Sequence, residues 1–152
     1  MRAAIAATLA ALTVLAGCAQ LRDSARLPSG RAPAPTGPLS LRADCSGRDP
    51  SGYAEQIALN VSDGLVGRLE ARVEIPGKGS CSFQLAQFRQ TKRTPFVELL
   101  ALRDGSRCAV RIWTQGDRVT VAPTDCEEMC TRPGAFEFVW PIALSARTGS
   151  CL

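Results

Sequence analysis

The sequence predicts an all-β fold: a single small antiparallel domain, built as a meander, barrel or sandwich of about seven to eight short strands and stapled by disulfides. Three observations indicate this fold. Apolar and polar residues alternate with a period of two over most of the chain beyond residue 40, turn motifs separate the alternating runs, and six cysteines lie among them. The chain has 152 residues, of which 45% are hydrophobic and 21% charged, which suits one core and excludes a disordered chain or an integral membrane protein.

The predicted strands are the runs in which apolar residues recur at every second position, as they do on one buried face of a strand. The runs cover residues 57–61, 69–75, 81–85, 108–112, 119–121, 136–138 and 142–144. Residues 96–102 are apolar almost throughout, which fits either a strand buried on both faces or a helical turn. Short turn motifs lie at residues 62–64, 76–79, 104–106 and 115–117. Because these connections are short, consecutive strands are expected to be antiparallel neighbours.

The N-terminal segment has the features of a signal peptide. Met1-Arg2 supplies a positive start, and residues 3–16 form an apolar run that is too short to span a bilayer as a helix. The run ends in Leu15-Ala16-Gly17-Cys18, which resembles the lipobox of bacterial lipoproteins. That resemblance implies that the signal peptide comprises residues 1–17 and that Cys18 is the lipidated first residue of the mature protein. Acylation by two or more chains gives a durable membrane attachment.

The resemblance also implies a place in the bacterial cell envelope. Ala19 follows Cys18, where an aspartate would favour the inner membrane, so we expect a lipid anchor in the outer membrane, on its periplasmic side or its surface. Residues 18–40 are predicted to be a Pro-rich linker, because four prolines lie within residues 28–38 and proline favours extended chain that joins no core. The globular disulfide-bonded β domain is then residues 41–152.

With Cys18 assigned to the lipid, six cysteines remain for the domain. They are Cys45, Cys81, Cys108, Cys126, Cys130 and Cys151. In an exported protein an even number of cysteines predicts disulfides, here three of them. A metal site is disfavoured, because Cys126 and Cys130 form a single close pair with no histidine to accompany them.

The pairing of these cysteines is open among fifteen arrangements. Partners across a hairpin lie at equal distances from its turn. The midpoints of Cys45–Cys81, Cys108–Cys126 and Cys130–Cys151 all fall on turn or strand-breaking residues, which favours that scheme. The main alternative contains a Cys45–Cys151 bridge that ties the two ends of the domain together.

The residue types argue against catalysis. The chain has no histidine, which excludes Ser-His and Cys-His nucleophiles, and it has no glycine-rich phosphate-binding motif. Adjacent Glu127 and Glu128 diverge if the chain is extended, and we interpret them as a solvated turn. We therefore predict that the protein is not an enzyme and has no cofactor and no metal.

The basic residues suggest a binding surface instead. The net charge is +4, and sixteen of the eighteen cations are arginines. We predict that Arg107, Arg111 and Arg118 share an outward face of a hairpin over residues 106–122 with Trp113, a composition typical of binding hot spots. The alternative interpretation is an arginine-rich genome and a tryptophan at the edge of the core. Nucleic acid is not an expected partner for a domain outside the cytoplasm, and the oligomeric state is left open.

Two functional hypotheses follow. Size, anchor and strand content resemble the architecture of the small lysozyme-inhibitor lipoproteins, which implies a module that inhibits a hydrolase through residues 104–107 or through Arg111 and Trp113. Their Ser-Gly-x-x-Tyr signature is absent, since Ser51-Gly52-Tyr53 has a different spacing. The alternative is a structural or accessory lipoprotein that supports an outer-membrane assembly through a strand edge or the arginine and tryptophan face. In both hypotheses the protein partner is unknown.

Overall fold

The computed structural model describes residues 37–152, which form two antiparallel sheets. The first sheet contains, in spatial order, β1 (Leu41–Arg48), β2 (Ala54–Ser62), β3 (Leu65–Ile75) and β4 (Gly79–Gln84). The second contains β5 (Phe88–Lys92), β6 (Val97–Ala101), β7 (Ala109–Gln115), β8 (Arg118–Thr124) and β9 (Ile142–Ser145). Short 3₁₀ helices lie at Leu85–Gln87, Glu127–Met129 and Phe136–Phe138.

The all-β prediction is confirmed, with nine strands in the described residues rather than seven or eight. Each sheet is a meander, because every strand pairs with the next one along the chain. Within residues 37–152 the two sheets do not close into a barrel, so the sandwich is the form that the fold takes. Over the same residues there is no helix of the length and apolar character needed to cross a membrane.

Period-two alternation forms the strands as expected. In β3 the side chains of Leu69, Ala71 and Val73 are buried, while the charged residues between them are exposed. Residues 96–102, left open between strand and helical turn, supply β6.

Residues 136–138 were predicted to be part of a strand, and this is wrong, because they form a 3₁₀ helix in the long connection from β8 to β9. Pro133 and Pro141 flank this helix, and proline has no N–H to donate to a sheet. Gly134 also has a φ of +74°, which turns the chain just before the helix.

A single core lies between the sheets. The first sheet contributes the fully buried Ile57 and Leu69, and the second contributes Leu99, Ile112 and Leu144. These side chains belong to one hydrophobic cluster. The sheets therefore share one apolar interior, as the packed layers of a sandwich do.

The six cysteines form three disulfides, Cys45–Cys151, Cys81–Cys130 and Cys108–Cys126. Cys45 lies in β1 and Cys151 bridges to Leu144 of β9, so this bond links the two sheets. Cys81–Cys130 fastens β4 to the connection between β8 and β9. Cys108–Cys126 closes the open end of the β7–β8 hairpin.

The hairpin scheme is therefore correct for Cys108–Cys126 and wrong for Cys45–Cys81 and Cys130–Cys151. Two residues at equal distances from a turn face each other only when their strands are adjacent in the sheet. Cys45 and Cys81 lie in β1 and β4, which are opposite edges of a four-stranded sheet. The alternative Cys45–Cys151 bridge is the one that the structure contains.

Candidate functional site

The outward surface of the five-stranded sheet carries most of the predicted binding residues. In β7, Val110 and Ile112 point into the core, which places Arg111 and Trp113 on the opposite face. Arg118 begins β8 and pairs with Gln115 of β7, so it belongs to the same outward set. We call this surface the basic face.

The basic face differs in charge from the outward surface of the other sheet. The charged residues in the five strands of the basic face are Arg89, Lys92, Glu98, Arg111 and Arg118. The exposed charged residues in the strands of the four-stranded sheet are Arg42, Asp44, Arg48, Arg68, Glu70, Arg72 and Glu74. Four cations are therefore accompanied by one carboxylate on the basic face and by three on the other sheet. Arg68 and Arg72 also pair with Glu70 and Glu74 at 3.2 and 3.3 Å.

The carboxylate of Glu98 is the centre of the basic face. Only 6% of Glu98 is exposed, although it lies on the outward side of β6. Lys92 Nζ lies 3.1 Å from Oε1 and Arg111 Nε lies 3.0 Å from Oε2. The Thr91 hydroxyl donates a further hydrogen bond to Oε1 at 3.1 Å. Lys92 has the largest effect on the pKa of Glu98 and Arg111 the next largest. Both lower it, because both donate hydrogen bonds to the ionised carboxylate.

Phe96 covers this arrangement from the turn between β5 and β6. Lys92 Nζ lies 4.9 Å and Arg111 Cζ lies 5.8 Å from the centroid of its ring, within the range of cation–π attraction. We call these five residues, Thr91, Lys92, Phe96, Glu98 and Arg111, the Glu98 network. Arg111 uses its Nε atom to bind Glu98, and its two Nη atoms donate no hydrogen bond within residues 37–152.

Trp113 borders a cleft beside the Glu98 network. The cleft has a volume of about 280 Å³, and its lining includes Arg93, Phe96 and Asp117. Leu39 and Ser40 line it too, at the point where the described part of the chain begins. Trp113 is half-buried and forms part of the wall of the cleft.

The structure places Arg107 apart from the other predicted binding residues. It precedes β7, about 13 Å along the chain from Arg111 at the usual rise per residue. Its side chain is 83% exposed and its Nε lies 4.0 Å from the Asp125 carboxylate. In the loop of residues 104–107, Ser106 donates a hydrogen bond to Glu128, and its hydroxyl accepts one from the Cys108 N–H at 3.0 Å. This loop is exposed but held next to the Cys108–Cys126 disulfide.

Sequence reasoning missed Lys92, Phe96 and Glu98. One signal for Glu98 was available: it is the single charge inside the apolar run of residues 96–102. No comparable signal marks Lys92, because β5 has only one buried apolar residue, Phe88, and was not predicted as a strand.

The two aromatic residues that precede β9 were also missed as surface groups. Trp140 is 68% exposed and Phe138 is 41% exposed. Lys78 Nζ lies 4.7 Å from the Phe138 ring, and the Trp140 N–H donates to the Tyr53 hydroxyl at 3.1 Å. Tyr53 of Ser51-Gly52-Tyr53 thus supports the backbone at Trp140. Burial is the main cause that raises the pKa of Tyr53.

Comparison of the chain with protein-family models, curated proteins and solved structures finds no match. The residues of the basic face and the motif at Cys18 are therefore the basis for assigning a function.

Proposed function

We infer that the chain is a lipid-anchored envelope lipoprotein whose β domain binds another protein through the basic face. The main support is the charge of the five-stranded sheet, whose strands contain four cations and one carboxylate. The half-buried Trp113 and Phe96 lie beside these charges. Arginine and aromatic residues are enriched at protein interfaces, and a one-sided charge steers association with an oppositely charged partner. The lipobox-like motif at Cys18 supports attachment to the membrane.

Inhibition of a hydrolase such as lysozyme is one form of this function. The exposed loop of residues 104–107 favours it, because a loop fixed by the Cys108–Cys126 disulfide loses little entropy on entering a cleft. The alternative is a structural or accessory role in an outer-membrane assembly. The Glu98 network favours the accessory role, because it lies on sheet strands and their turn, and the face of a sheet suits docking against another protein's surface better than insertion into a cleft.

Affinity capture from envelope extracts and from host secretions tests the proposal, with the full lipidated chain in detergent as bait. The wild type is compared with R111Q/W113A on the basic face, D104A/R107A in the loop and R68Q/R72Q on the opposite sheet. We expect the first variant to lose the captured protein and the R68Q/R72Q control to retain it. A loss confined to D104A/R107A with a hydrolase as the captured protein supports inhibition through the loop. Equal capture by all four baits contradicts a binding role for the basic face.

The anchor is tested separately by C18S. We expect the wild type to incorporate radiolabelled palmitate and to float with membranes after carbonate and salt washes, and C18S to do neither. If C18S still floats with membranes after those washes, the assignment of the lipid to Cys18 is wrong.

A further inference from the structure

We propose that Arg111 is the receptor for a carboxylate on an acidic segment of the partner, and that Glu98 is the positioning residue that holds Arg111 for it. This inference rests on the proposed function and specifies the chemistry of its partner. Of the two residues in this ion pair, Arg111 binds the partner and Glu98 holds Arg111 in place.

The geometry leaves the binding end of Arg111 available. Its Nε is 3.0 Å from Glu98 Oε2, so the carboxylate holds the guanidinium from its inner edge. The Nη atoms make no hydrogen bond within the described part of the chain. Two Nη donors in one plane match the two oxygens of a carboxylate, which is the basis of bidentate recognition by arginine.

Glu98 also reduces the entropy that Arg111 loses on binding. A long arginine side chain on a strand normally samples many rotamers, and ordering it opposes association. Here Glu98 is nearly buried, and its Oε1 atom accepts hydrogen bonds from Thr91 and Lys92. The centroid of the Phe96 ring lies 5.8 Å from the guanidinium carbon of Arg111. The carboxylate that orients Arg111 is therefore itself fixed.

Positive charge remains after these contacts are counted. Lys92 and Arg111 share the single carboxylate of Glu98, which leaves one cation of the Glu98 network uncompensated. Arg89 and Arg118 add charge on the same face and have no ion pair within residues 37–152. A partner segment that carries aspartate or glutamate is the electrostatic complement of this surface.

Other occupants fit less well. The predicted linker carries Arg22, Arg26 and Arg31 against Asp23 alone, so it has the same sign as the basic face. A second copy in a symmetric dimer would place two basic faces against each other. Membrane insertion uses projecting aromatic rings, whereas Trp113 forms part of a cleft wall.

The test measures fluorescence anisotropy of two labelled peptides with the full lipidated chain in neutral detergent. The acidic probe is Glu-Val repeated three times, and the neutral probe is Gln-Val repeated three times. We expect the wild type to bind the acidic probe at least about tenfold more tightly than the neutral one, as is typical of a charge-assisted bidentate contact. R111K keeps the charge but lacks the planar fork, and we expect it to lose most of that preference.

E98Q separates positioning from simple electrostatics. It raises the net charge of the basic face by one, so electrostatics alone would tighten binding of the acidic probe. Positioning by Glu98 requires the opposite, a loss of about tenfold. E70Q makes the same charge change on the other sheet and serves as the matched control, and circular dichroism verifies that each variant is folded.

The outcomes are distinguishable from those of the proposed function. Tighter binding by E98Q, equal binding by R111K, or no preference for the acidic probe overturns this inference even if capture from envelopes succeeds. A preference that behaves as expected supports it even if capture fails. Stronger retention on vesicles of anionic phospholipid than on the acidic peptide, lost in R111K, overturns it in favour of a lipid surface.

Discussion

At the scale of single residues, the basic face depends on a carboxylate that is shielded although it points away from the core. Glu98 lies between Val97 and Leu99, both fully buried on the inner side of β6. A carboxylate removed from water needs partners for both oxygens. Lys92 and Thr91 serve one oxygen and Arg111 the other, so Glu98 is ionised and ordered at neutral pH.

The pH dependence of stability reports this arrangement. The pKa of Glu98 is below its ordinary value of 4.5 in the folded chain, so the unfolded chain binds the proton more readily. The ionised group therefore stabilises the fold above pH 4.5, and this contribution is lost as the pH falls through the lowered pKa. We expect the wild type to melt at a higher temperature than E98Q at neutral pH and the difference to shrink below pH 4.5. Calorimetry across this range measures it.

Lys92 provides the control for that experiment, because it is the first cause of the lowered pKa of Glu98. We expect the pH-dependent part of the difference in melting temperature to be smaller between K92Q and K92Q/E98Q than between the wild type and E98Q. A difference in melting temperature that stays constant from neutral pH to about pH 3 contradicts an ionised, ion-paired Glu98.

Gly149 is a second residue whose environment makes a definite prediction. Its φ is +69°, and a Cβ atom there would overlap the carbonyl oxygen of Arg42 in β1. Gly105 has a similar φ of +75° but open space around it. We expect G105A to cost about 1 kcal/mol from the backbone conformation alone. G149A should cost about 1–3 kcal/mol more, because the segment must move away from β1.

Denaturant unfolding of the two variants measures these costs. Both variants have the same backbone strain, so the difference between their free energies of unfolding measures the cost of the close approach to β1. Equal destabilisation of both variants would mean that the segment around Gly149 shifts freely.

At the scale of elements, the strands that sequence reasoning recovered are those with strong apolar alternation. β3 and β8 place apolar residues at alternate positions, and such patterns predict a strand by themselves. β5 was missed because its buried side is a single phenylalanine, and β1 because its inward positions include Ala43 and Cys45. These strands are held by the sheet neighbours and disulfide that tertiary structure supplies, which local sequence does not reveal.

The same limit applies to the candidate site. Alternation within β7 was enough to place Arg111 and Trp113 on one face. The ion pairs to Glu98 join three strands, and sequence alone does not give the register that brings Glu98 opposite Arg111 and Lys92. Arg107 was grouped with Arg111 by spacing, but it lies outside the strand, where the alternation no longer applies.

The disulfides differ in access, and this predicts the order in which they are reduced. Cys108 and Cys126 are both buried, whereas Cys81 is buried and Cys130 is partly exposed. Cys45 and Cys151 are both partly exposed. Thiol–disulfide exchange requires access of the attacking thiolate, so we expect Cys45–Cys151 to open first and Cys108–Cys126 last.

Limited reduction of the folded chain followed by alkylation and peptide mapping gives this order. The same maps test the pairing, because a Cys45–Cys81 peptide would contradict the arrangement of β1 and β4 at opposite edges of a sheet. Early loss of Cys108–Cys126 would show that the β7–β8 end opens more readily than its burial indicates.

At the scale of the whole molecule, the two sheets have separate outer surfaces and one shared interior. Charges on the four-stranded sheet are nearly balanced and partly paired with one another, so its surface resembles an ordinary solvated strand face. The basic face has the unbalanced charge, and the half-buried Trp113 and Phe96 lie beside it. The proposed lipid anchor at Cys18 and the predicted Pro-rich linker would let the domain present that face to a partner at some distance from the membrane.

The shared interior predicts that both sheets unfold together. Leu69 of β3 is 1% exposed and lines a small apolar gap with Val110 and Val121 of the other sheet. We expect L69A to cost about 2–5 kcal/mol, because it removes packing for both layers. Leu65, in the same strand, is 48% exposed, and L65A should change stability by no more than about 0.5 kcal/mol.

Two spectroscopic signals distinguish joint from separate unfolding. In a W140F background, tryptophan fluorescence reports on Trp113 of β7 in the five-stranded sheet, whereas far-ultraviolet circular dichroism reports on all strands. With the disulfides intact, we expect both signals to follow one transition. We expect L69A to lower both midpoints equally, because a substitution in one sheet loosens a core that both sheets need. A fluorescence midpoint unchanged by L69A, while the dichroism midpoint falls, would mean that the five-stranded sheet is stable without its partner layer.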